Sequence, residues 1–162
     1  MLEIKKLSKE FLVEKGFFNS SNISVKAVQD VSFSIEKNQV VGLVGESGSG
    51  KSTLGKTIMK LLNPSAGNII FNNVDITHYN NQQMKKIRQQ LQMIFQDPFA
   101  SLNPRKSIFD TLVEPVMVHS LIDKKNLHEY ISNIIKDVGL NVENLSRYPH
   151  EFSGGQRQRI GI

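Results

Sequence analysis

Apolar residues in the first quarter of the chain follow the two-residue period of β-strands. Residues 2–7 and 26–35 alternate or cluster β-forming side chains, which predicts two strands. Residues 40–44 (VVGLV) form a short continuous apolar run, and this pattern predicts a strand buried on both faces. Residues 14–24, between the first two runs, are rich in Gly, Asn and Ser, so we expect a surface loop there.

The spacing of apolar residues becomes helical soon after the third run. Asn63-Pro64 is expected to end this first helix, because the residue before a proline avoids the helical conformation. The apolar residues that recur at helical spacing before it are Leu54, Ile58, Leu61 and Leu62.

A turn signal, a short helix and another apolar run follow. Two apolar stretches within residues 68–76 flank Asn72-Asn73, and the tolerance of asparagine for positive φ angles predicts a tight hairpin. Residues 93–95 (MIF) predict a further buried strand that ends at Gln96. The short helix before it is predicted from apolar residues at helical spacing, Met84, Ile87 and Leu91.

The remainder of the chain has the pattern of helices joined by turns. Ser107 is a candidate N-cap for a helix whose apolar face includes Ile108 and Leu112. Pro115 is expected to kink or restart this helix. Gly139 is expected to end the most regular helix of the chain. The apolar positions of that helix are Leu127, Tyr130, Ile131, Ile134, Ile135 and Val138.

A glycine-rich motif joins the third predicted strand to the first predicted helix. Residues 45–52 read GESGSGKS and match the phosphate-binding pattern G-x-x-x-x-G-K-[ST] in full. Inward-pointing backbone N–H groups hold a polyphosphate in such a loop, and glycines permit the conformations that this requires. An ordinary glycine-rich strand–helix turn is the alternative interpretation. The loop residues predicted to bind nucleotide are Gly45, Glu46, Ser47, Gly48, Ser49 and Gly50.

Three residues at the start of the helix complete this predicted site. The positive end of the helix dipole points at the phosphates, and the Lys51 ammonium reaches the β- and γ-phosphates. Ser52 offers its hydroxyl oxygen to Mg²⁺, a hard cation that needs few protein ligands. Thr53 lies where it contacts the α-phosphate. The motif therefore predicts a Mg-ATP site.

A second motif with anion-binding chemistry lies near the end of the chain. Residues 152–159 read FSGGQRQR. At a helix start, a serine hydroxyl and bare glycine amides are suited to receive an anion. By itself the motif favours a plain serine-capped helix after a glycine turn. The candidate binding residues are Ser153, Gly154, Gly155 and Gln156.

The order and spacing of the phosphate loop, Gln96 and the SGGQ motif resemble those of ATP-binding-cassette ATPases. The resemblance covers the whole chain. It is similar to the oligopeptide and dipeptide importer branch in residues 96–105 (QDPFASLNPR) and 148–162 (YPHEFSGGQRQRIGI). It implies an α/β fold: a P-loop NTPase core with an N-terminal antiparallel β-subdomain in residues 1–97, and a helical subdomain carrying the signature motif in residues 98–162.

The resemblance also implies roles for individual residues. Phe11 would stack on adenine, although a plain core phenylalanine is the alternative interpretation. Gln96 would sense Mg²⁺ and the γ-phosphate and act in catalysis together with Lys51. Two cassettes pair head to tail in this family, so the SGGQ motif of one chain would contact the ATP held by the phosphate loop of the other.

The function implied by the resemblance is that of the ATP-binding subunit of a peptide importer. The implied partners are a second cassette subunit, membrane permease subunits and, indirectly, a solute-binding protein, with no nucleic acid expected. The implied location is cytoplasmic, peripheral on the inner face of the cell membrane. In the family, the Mg²⁺-binding Asp (Walker B), the catalytic carboxylate and the switch histidine follow the signature helix, and the chain ends at Ile162 before them. We therefore expect an incomplete cassette that binds ATP without efficient hydrolysis, exposes an apolar sheet edge and self-associates.

Composition leaves two rival functions open. The net charge of +5 would suit a cassette ATPase that clamps nucleic acid or ribosomes, but the basic residues are scattered and lack interleaved aromatic residues. A nucleotide-binding protein without turnover is the other rival. The sequence contains no cysteine, which excludes disulfides and thiolate chemistry, and no window has the roughly 18 apolar residues of a membrane span.

Overall fold

The computed structural model describes residues 1–13, 23–95 and 102–162, and only the backbone of residues 13 and 23. The described chain divides into two compact units, Met1–Gln92 and Met93–Ile162. The predicted domain boundary after residue 97 lies outside the described residues, as does most of the predicted loop at 14–24.

The first unit contains an antiparallel sheet whose four strands lie in the order β2-β1-β3-β4. The strands are β1 (Leu2–Val13), β2 (Ile23–Ile35), β3 (Ala66–Phe71) and β4 (Val74–Asp75). Its helices are α1 (Lys51–Ile58) and α2 (Asn81–Ile87). The second unit contains α3 (Ile108–Val118), α4 (Leu127–Asp137) and α5 (Gly154–Ile160), with short 3-10 turns at Lys124–Asn126, Val142–Ser146 and Pro149–Glu151.

The core of the first unit joins the sheet to both of its helices. Ile4 of β1 lies opposite Ile69 of β3, and both side chains are fully buried. Leu54 of α1 and Met84 of α2 belong to the same buried cluster. Burying these apolar side chains fixes α1 against the sheet, and with it the loop that precedes α1.

The predicted hairpin at Asn72-Asn73 is confirmed. These two residues connect β3 to β4 with φ angles of 48° and 64°. Asparagine tolerates this left-handed conformation better than most residues, which is why the dipeptide marks the turn.

A buried threonine ties the hairpin together. The Thr77 hydroxyl donates to Asp75 Oδ1 at 2.5 Å and accepts from the Ile69 backbone N–H at 2.8 Å. The Thr77 backbone N–H also donates to Asp75 Oδ1, at 2.9 Å. The side-chain hydrogen bond from Thr77, followed by the backbone one, lowers the pKa of Asp75. The Thr77 hydroxyl therefore gives a buried amide its hydrogen-bond acceptor and donates a hydrogen bond to a carboxylate.

Replacing Thr77 by valine is expected to destabilise the chain. Valine fills the same space but leaves the buried Ile69 N–H without its acceptor, which costs about 1–3 kcal/mol of unfolding free energy. Urea unfolding of Thr77→Val and Thr77→Ser measures this, because serine keeps the hydroxyl. Equal stability of the valine variant and the wild type would refute the role of the hydroxyl.

The second unit is a helical cluster around its own core. Ile131 and Ile135 of α4 are buried against Ile108 and Val116 of α3. The predicted helix with Gly139 as its end is confirmed, since α4 runs to Asp137 and Gly139 has a φ of 72°. Arg159 Nη1 of α5 donates to the carbonyls of Val138 and Gly139, at 3.2 and 3.3 Å, and so links α5 to the end of α4.

Two predicted buried strands are wrong within the described structure. Residues 40–44 and 93–95 belong to no strand ladder there. Val40 and Val44 are 95% and 91% exposed, and Ile94 is 63% exposed. An apolar run identifies a segment suited to a buried strand, but a strand forms only where a neighbour completes its backbone hydrogen bonds.

Helix ends also differ from the predictions. The first helix stops at Ile58, because Lys60 adopts a left-handed φ of 55° and the N–H groups of Leu61 and Leu62 return to the Lys56 carbonyl. Likewise α2 ends at Ile87, before Leu91. Pro115 does not interrupt α3, which continues to Val118. The buried packing of α3 outweighs the single hydrogen bond that proline removes.

Candidate functional site: the phosphate loop

The glycine-rich loop lies beside β2 in the first unit. Residues 45–50 lead directly into α1, as the motif predicts. Gly45, Ser49 and Gly50 of the loop line a cleft of about 340 Å³ together with Ala27 and Val28 of β2. The loop residues are exposed apart from Gly50, which is half-buried against the sheet.

Two glycines of the loop adopt left-handed conformations. Gly48 has a φ of 81° and Gly50 a φ of 90°. A Cβ on Gly50 would overlap the carbonyl oxygen of Ala27, whereas a Cβ on Gly48 would meet no atom within 4 Å. Gly50 therefore satisfies two requirements, a backbone conformation and close contact with β2.

The Lys51 ammonium lies over the inside of the loop. Its Nζ donates to the Gly45 carbonyl at 2.7 Å, to the Glu46 carbonyl at 2.5 Å and to Ser49 Oγ at 3.2 Å. Ser49 is also held by its backbone N–H, which donates to the Glu46 carbonyl at 3.2 Å. The lysine thus places a positive charge at the point around which the loop backbone curves.

The N-terminus of α1 retains free hydrogen-bond donors. Its N-cap, Gly50, has no side chain and makes no side-chain capping bond. The first N–H groups of any helix lack acceptors within the helix. The amides of Lys51, Ser52 and Thr53 are therefore available to an anion, in a place where the helix dipole favours negative charge.

Ser52 and Thr53 lie at this helix start. The Ser52 side chain is exposed, and the Thr53 carbonyl accepts from the Thr57 hydroxyl at 2.7 Å. Amides, one ammonium and a free hydroxyl form a donor set suited to a polyphosphate with its hard cation. These residues are brought together here: Gly45, Glu46, Ser47, Gly48, Ser49, Gly50, Lys51, Ser52 and Thr53.

The SGGQ motif begins a capped helix in the second unit. Ser153 Oγ accepts from the Gln156 N–H at 3.4 Å, while Gln156 Oε1 accepts from the Ser153 N–H at 2.9 Å. The serine hydroxyl keeps its own hydrogen available as a donor. Gly154 is exposed, and a Cβ on Gly155 would meet no atom within 4 Å. Nothing in the fold of the described chain requires glycine at position 155.

The two remaining predicted residues have different outcomes. Phe11 of β1 is 37% exposed, and the Lys9 Nζ lies 5.0 Å from its ring centroid, so the ring is not a core residue. Gln96, predicted as a sensor of Mg²⁺ and of the γ-phosphate, lies outside the described residues.

The sequence did not indicate that Ala27 of β2 lines the cleft. Ala27 touches Gly50 through its backbone carbonyl, and an alanine in a strand carries no chemical signal of that role. The contact arises only when β2 and the loop are brought together by the fold.

Within the part of the chain that the structure describes, no helix is long and apolar enough to cross a bilayer.

Comparison with solved structures shows the fold. The dimeric structure of MJ0796, a bacterial ABC transporter cassette, matches all of this chain and 67% of its own with a TM-score of 0.81 and 23% identity. An ATP-binding subunit of an ABC transporter matches 99% of this chain and 59% of its own, with a TM-score of 0.69 and 26% identity. The fold is therefore that of a P-loop NTPase core joined to a helical subdomain, as predicted.

Comparison with curated sequences gives closer relatives. The oligopeptide transport ATP-binding proteins AppF and OppF of Bacillus subtilis are 45% and 44% identical to this chain over its whole length. The glutathione import ATP-binding protein GsiA of Escherichia coli is 43% identical over the same length. The chain spans 50% of AppF, 52% of OppF and 26% of GsiA.

A family model decides the classification. The model described as ABC transporter matches residues 28–162, a span that contains both the phosphate loop and the SGGQ motif. The chain belongs to the ABC transporter family.

Proposed function

We propose that this chain is the ATP-binding part of an importer for peptides, and that it binds Mg-ATP at the phosphate loop. The observation that carries the proposal is the arrangement of residues 45–53, in which Lys51 and an uncapped helix N-terminus face one cleft. The names of its relatives, oligopeptide transport proteins and a glutathione import protein, support the substrate class.

The triphosphate would be held by the backbone. The free amides of Lys51, Ser52 and Thr53 donate to phosphate oxygens, and the Lys51 ammonium turns from the loop carbonyls towards the β- and γ-phosphates. Ser52 and Gln96 would hold Mg²⁺ through oxygen. When bound, Mg²⁺ neutralises charge on the phosphates.

The adenine base of ATP would lie against Phe11. Its half-exposed ring offers a face for stacking, and the Lys9 ammonium beside the ring limits the directions from which a base can approach. Aromatic stacking of this kind contributes about 0.5–1.5 kcal/mol beyond the buried area.

A second copy of the cassette would complete the site. The SGGQ helix presents the Ser153 hydroxyl and a bare surface at Gly155, where added atoms would meet nothing within the chain. Gly155 is the second residue of α5, and glycine there leaves the backbone accessible although the fold of the described chain does not require it. A glycine at this position is explained if phosphate of ATP bound to a second cassette approaches the Gly155 backbone. ATP binding would then close the pair and drive permease subunits in the membrane, with the cassettes on its cytoplasmic face and a solute-binding protein supplying the peptide.

Exchange of Gly155 for alanine tests this function. We expect an unchanged or raised melting temperature and unchanged Mg-ATP affinity, because the change touches nothing in the fold. ATP turnover by the assembled transporter should fall by about 100-fold or more, since the Cβ blocks phosphate from the helix backbone.

Gly161→Ala is the matched control at the other end of α5, where the added Cβ makes only ordinary contact, 3.4 Å from the Arg157 carbonyl. Its turnover should match the wild type. Normal turnover and peptide uptake with Gly155→Ala would refute the role of the SGGQ helix.

A further inference from the structure

The Lys9 side chain contacts an aromatic ring and not a carboxylate. Its Nζ lies over the Phe11 ring, 5.0 Å from the centroid. Within the first unit as the structure describes it, Lys9 forms no ion pair, whereas the exposed Lys26 on the neighbouring strand pairs with Glu10 at 4.0 Å. Lys9 is half-buried, because its apolar stem packs along the protein while the ammonium reaches the ring. The charge of Lys9 is therefore directed at one face of Phe11.

Lys9 and Phe11 lie next to the strand segment that contacts the phosphate loop. Lys9 pairs with Val28 of β2, and Val28 lines the cleft beside the loop. The register of the two strands shifts at Ala27, the neighbour of Val28, and the Ala27 carbonyl is the group that approaches Gly50. The phosphate loop and the Phe11 ring therefore adjoin the same short stretch of the sheet.

A cation on one face of an aromatic ring improves the opposite face for stacking. Both faces of such a ring carry partial negative charge, so two rings stacked face to face repel each other electrostatically. The ammonium of Lys9 offsets part of this charge on Phe11 and holds the ring in one orientation. The Phe11 ring is partly exposed, so it retains surface for a second aromatic group.

We propose that Lys9 is a positioning residue for the base of the nucleotide, and that it acts by orienting and polarising the Phe11 ring. This inference rests on the proposed function, which places the adenine of ATP against Phe11. Lys9 needs no contact with the phosphates for this role. Its contribution is therefore confined to ligands that carry a base.

The test separates the base from the phosphates. Titration calorimetry compares Mg-ATP with Mg-tripolyphosphate, which has the phosphate chain but no base, for the wild type and for Lys9→Met. Methionine keeps an unbranched apolar stem beside the ring and removes the charge. Lys26→Met is the matched control on β2, because it removes the same charge from an exposed lysine that pairs with a carboxylate.

We expect Lys9→Met to weaken Mg-ATP binding by about two- to fivefold, the effect of losing an exposed cation–π contact, and to leave the affinity for Mg-tripolyphosphate unchanged. Lys26→Met should bind both ligands like the wild type. Lys9→Arg keeps a cation over the ring and should retain the Mg-ATP affinity of the wild type. When Phe11→Leu is already present, Lys9→Met should cause no further loss, because Lys9 acts through the ring.

Two results would overturn the proposal and leave the proposed function intact. Equal Mg-ATP affinity of Lys9→Met and the wild type would show that the contact between Lys9 and Phe11 has no effect on the base. An equal loss of affinity for Mg-ATP and Mg-tripolyphosphate would show that Lys9 acts on the phosphates instead. A wild-type chain that binds neither ligand would refute the proposed function itself, and this inference with it.

Discussion

Replacing Lys51 by alanine is expected to reduce the affinity for Mg-ATP by about 100-fold or more, since a hydrogen bond to a charged group contributes about 1.5–3 kcal/mol and the Lys51 ammonium would donate to both the β- and the γ-phosphate. Among the residues that line the cleft, Lys51 alone carries a positive charge. Its ammonium lies over the inside of the loop. Titration calorimetry with Mg-ATP measures the loss.

Lys56→Ala is the control for this substitution. Lys56 lies on the same helix and is exposed, so its removal changes the net charge equally without touching the loop. Its affinity for Mg-ATP should remain within about twofold of the wild type because exposed charges contribute little. Equal affinity of the Lys51 and Lys56 variants would show that the nucleotide binds elsewhere.

Replacing Gly50 by alanine is expected to damage both stability and nucleotide binding. Alanine would have to adopt the left-handed φ of 90°, at a cost of about 1–2 kcal/mol. Its Cβ would also overlap the Ala27 carbonyl oxygen, so the loop must move away from β2. We expect a lower melting temperature and no measurable Mg-ATP binding.

Gly48→Ala separates the two causes. Gly48 has a similar φ of 81°, but an added Cβ meets nothing within 4 Å. The Gly48→Ala variant should therefore lose only the stability that a left-handed φ costs alanine, and not the stability lost when the loop moves away from β2. If both variants melt at the same temperature, the contact between the loop and β2 has no structural importance.

Features determined by nearby residues could be predicted from the sequence. Ser107 caps α3 by accepting from the Asp110 N–H at 3.1 Å, and Asn72-Asn73 forms the expected hairpin. Each depends on atoms only a few residues apart. The phosphate loop belongs to the same class, because its glycines, its lysine and the following helix are contiguous.

Features that need a distant partner could not be predicted in the same way. The run at 40–44 has the composition of a buried strand, yet its side chains are largely exposed in the described structure. Its state depends on a neighbouring strand, which the run itself does not encode. The contact of Ala27 with Gly50 is likewise formed by separate segments.

A crystal structure of the chain with Mg²⁺ and a non-hydrolysable ATP analogue tests the central claim most directly. We predict that the triphosphate lies against the backbone amides of residues 46–53, with Lys51 Nζ moved from the Gly45 and Glu46 carbonyls to the β- and γ-phosphates. An analogue bound at another place, with Lys51 still hydrogen-bonded to the loop, would contradict the account.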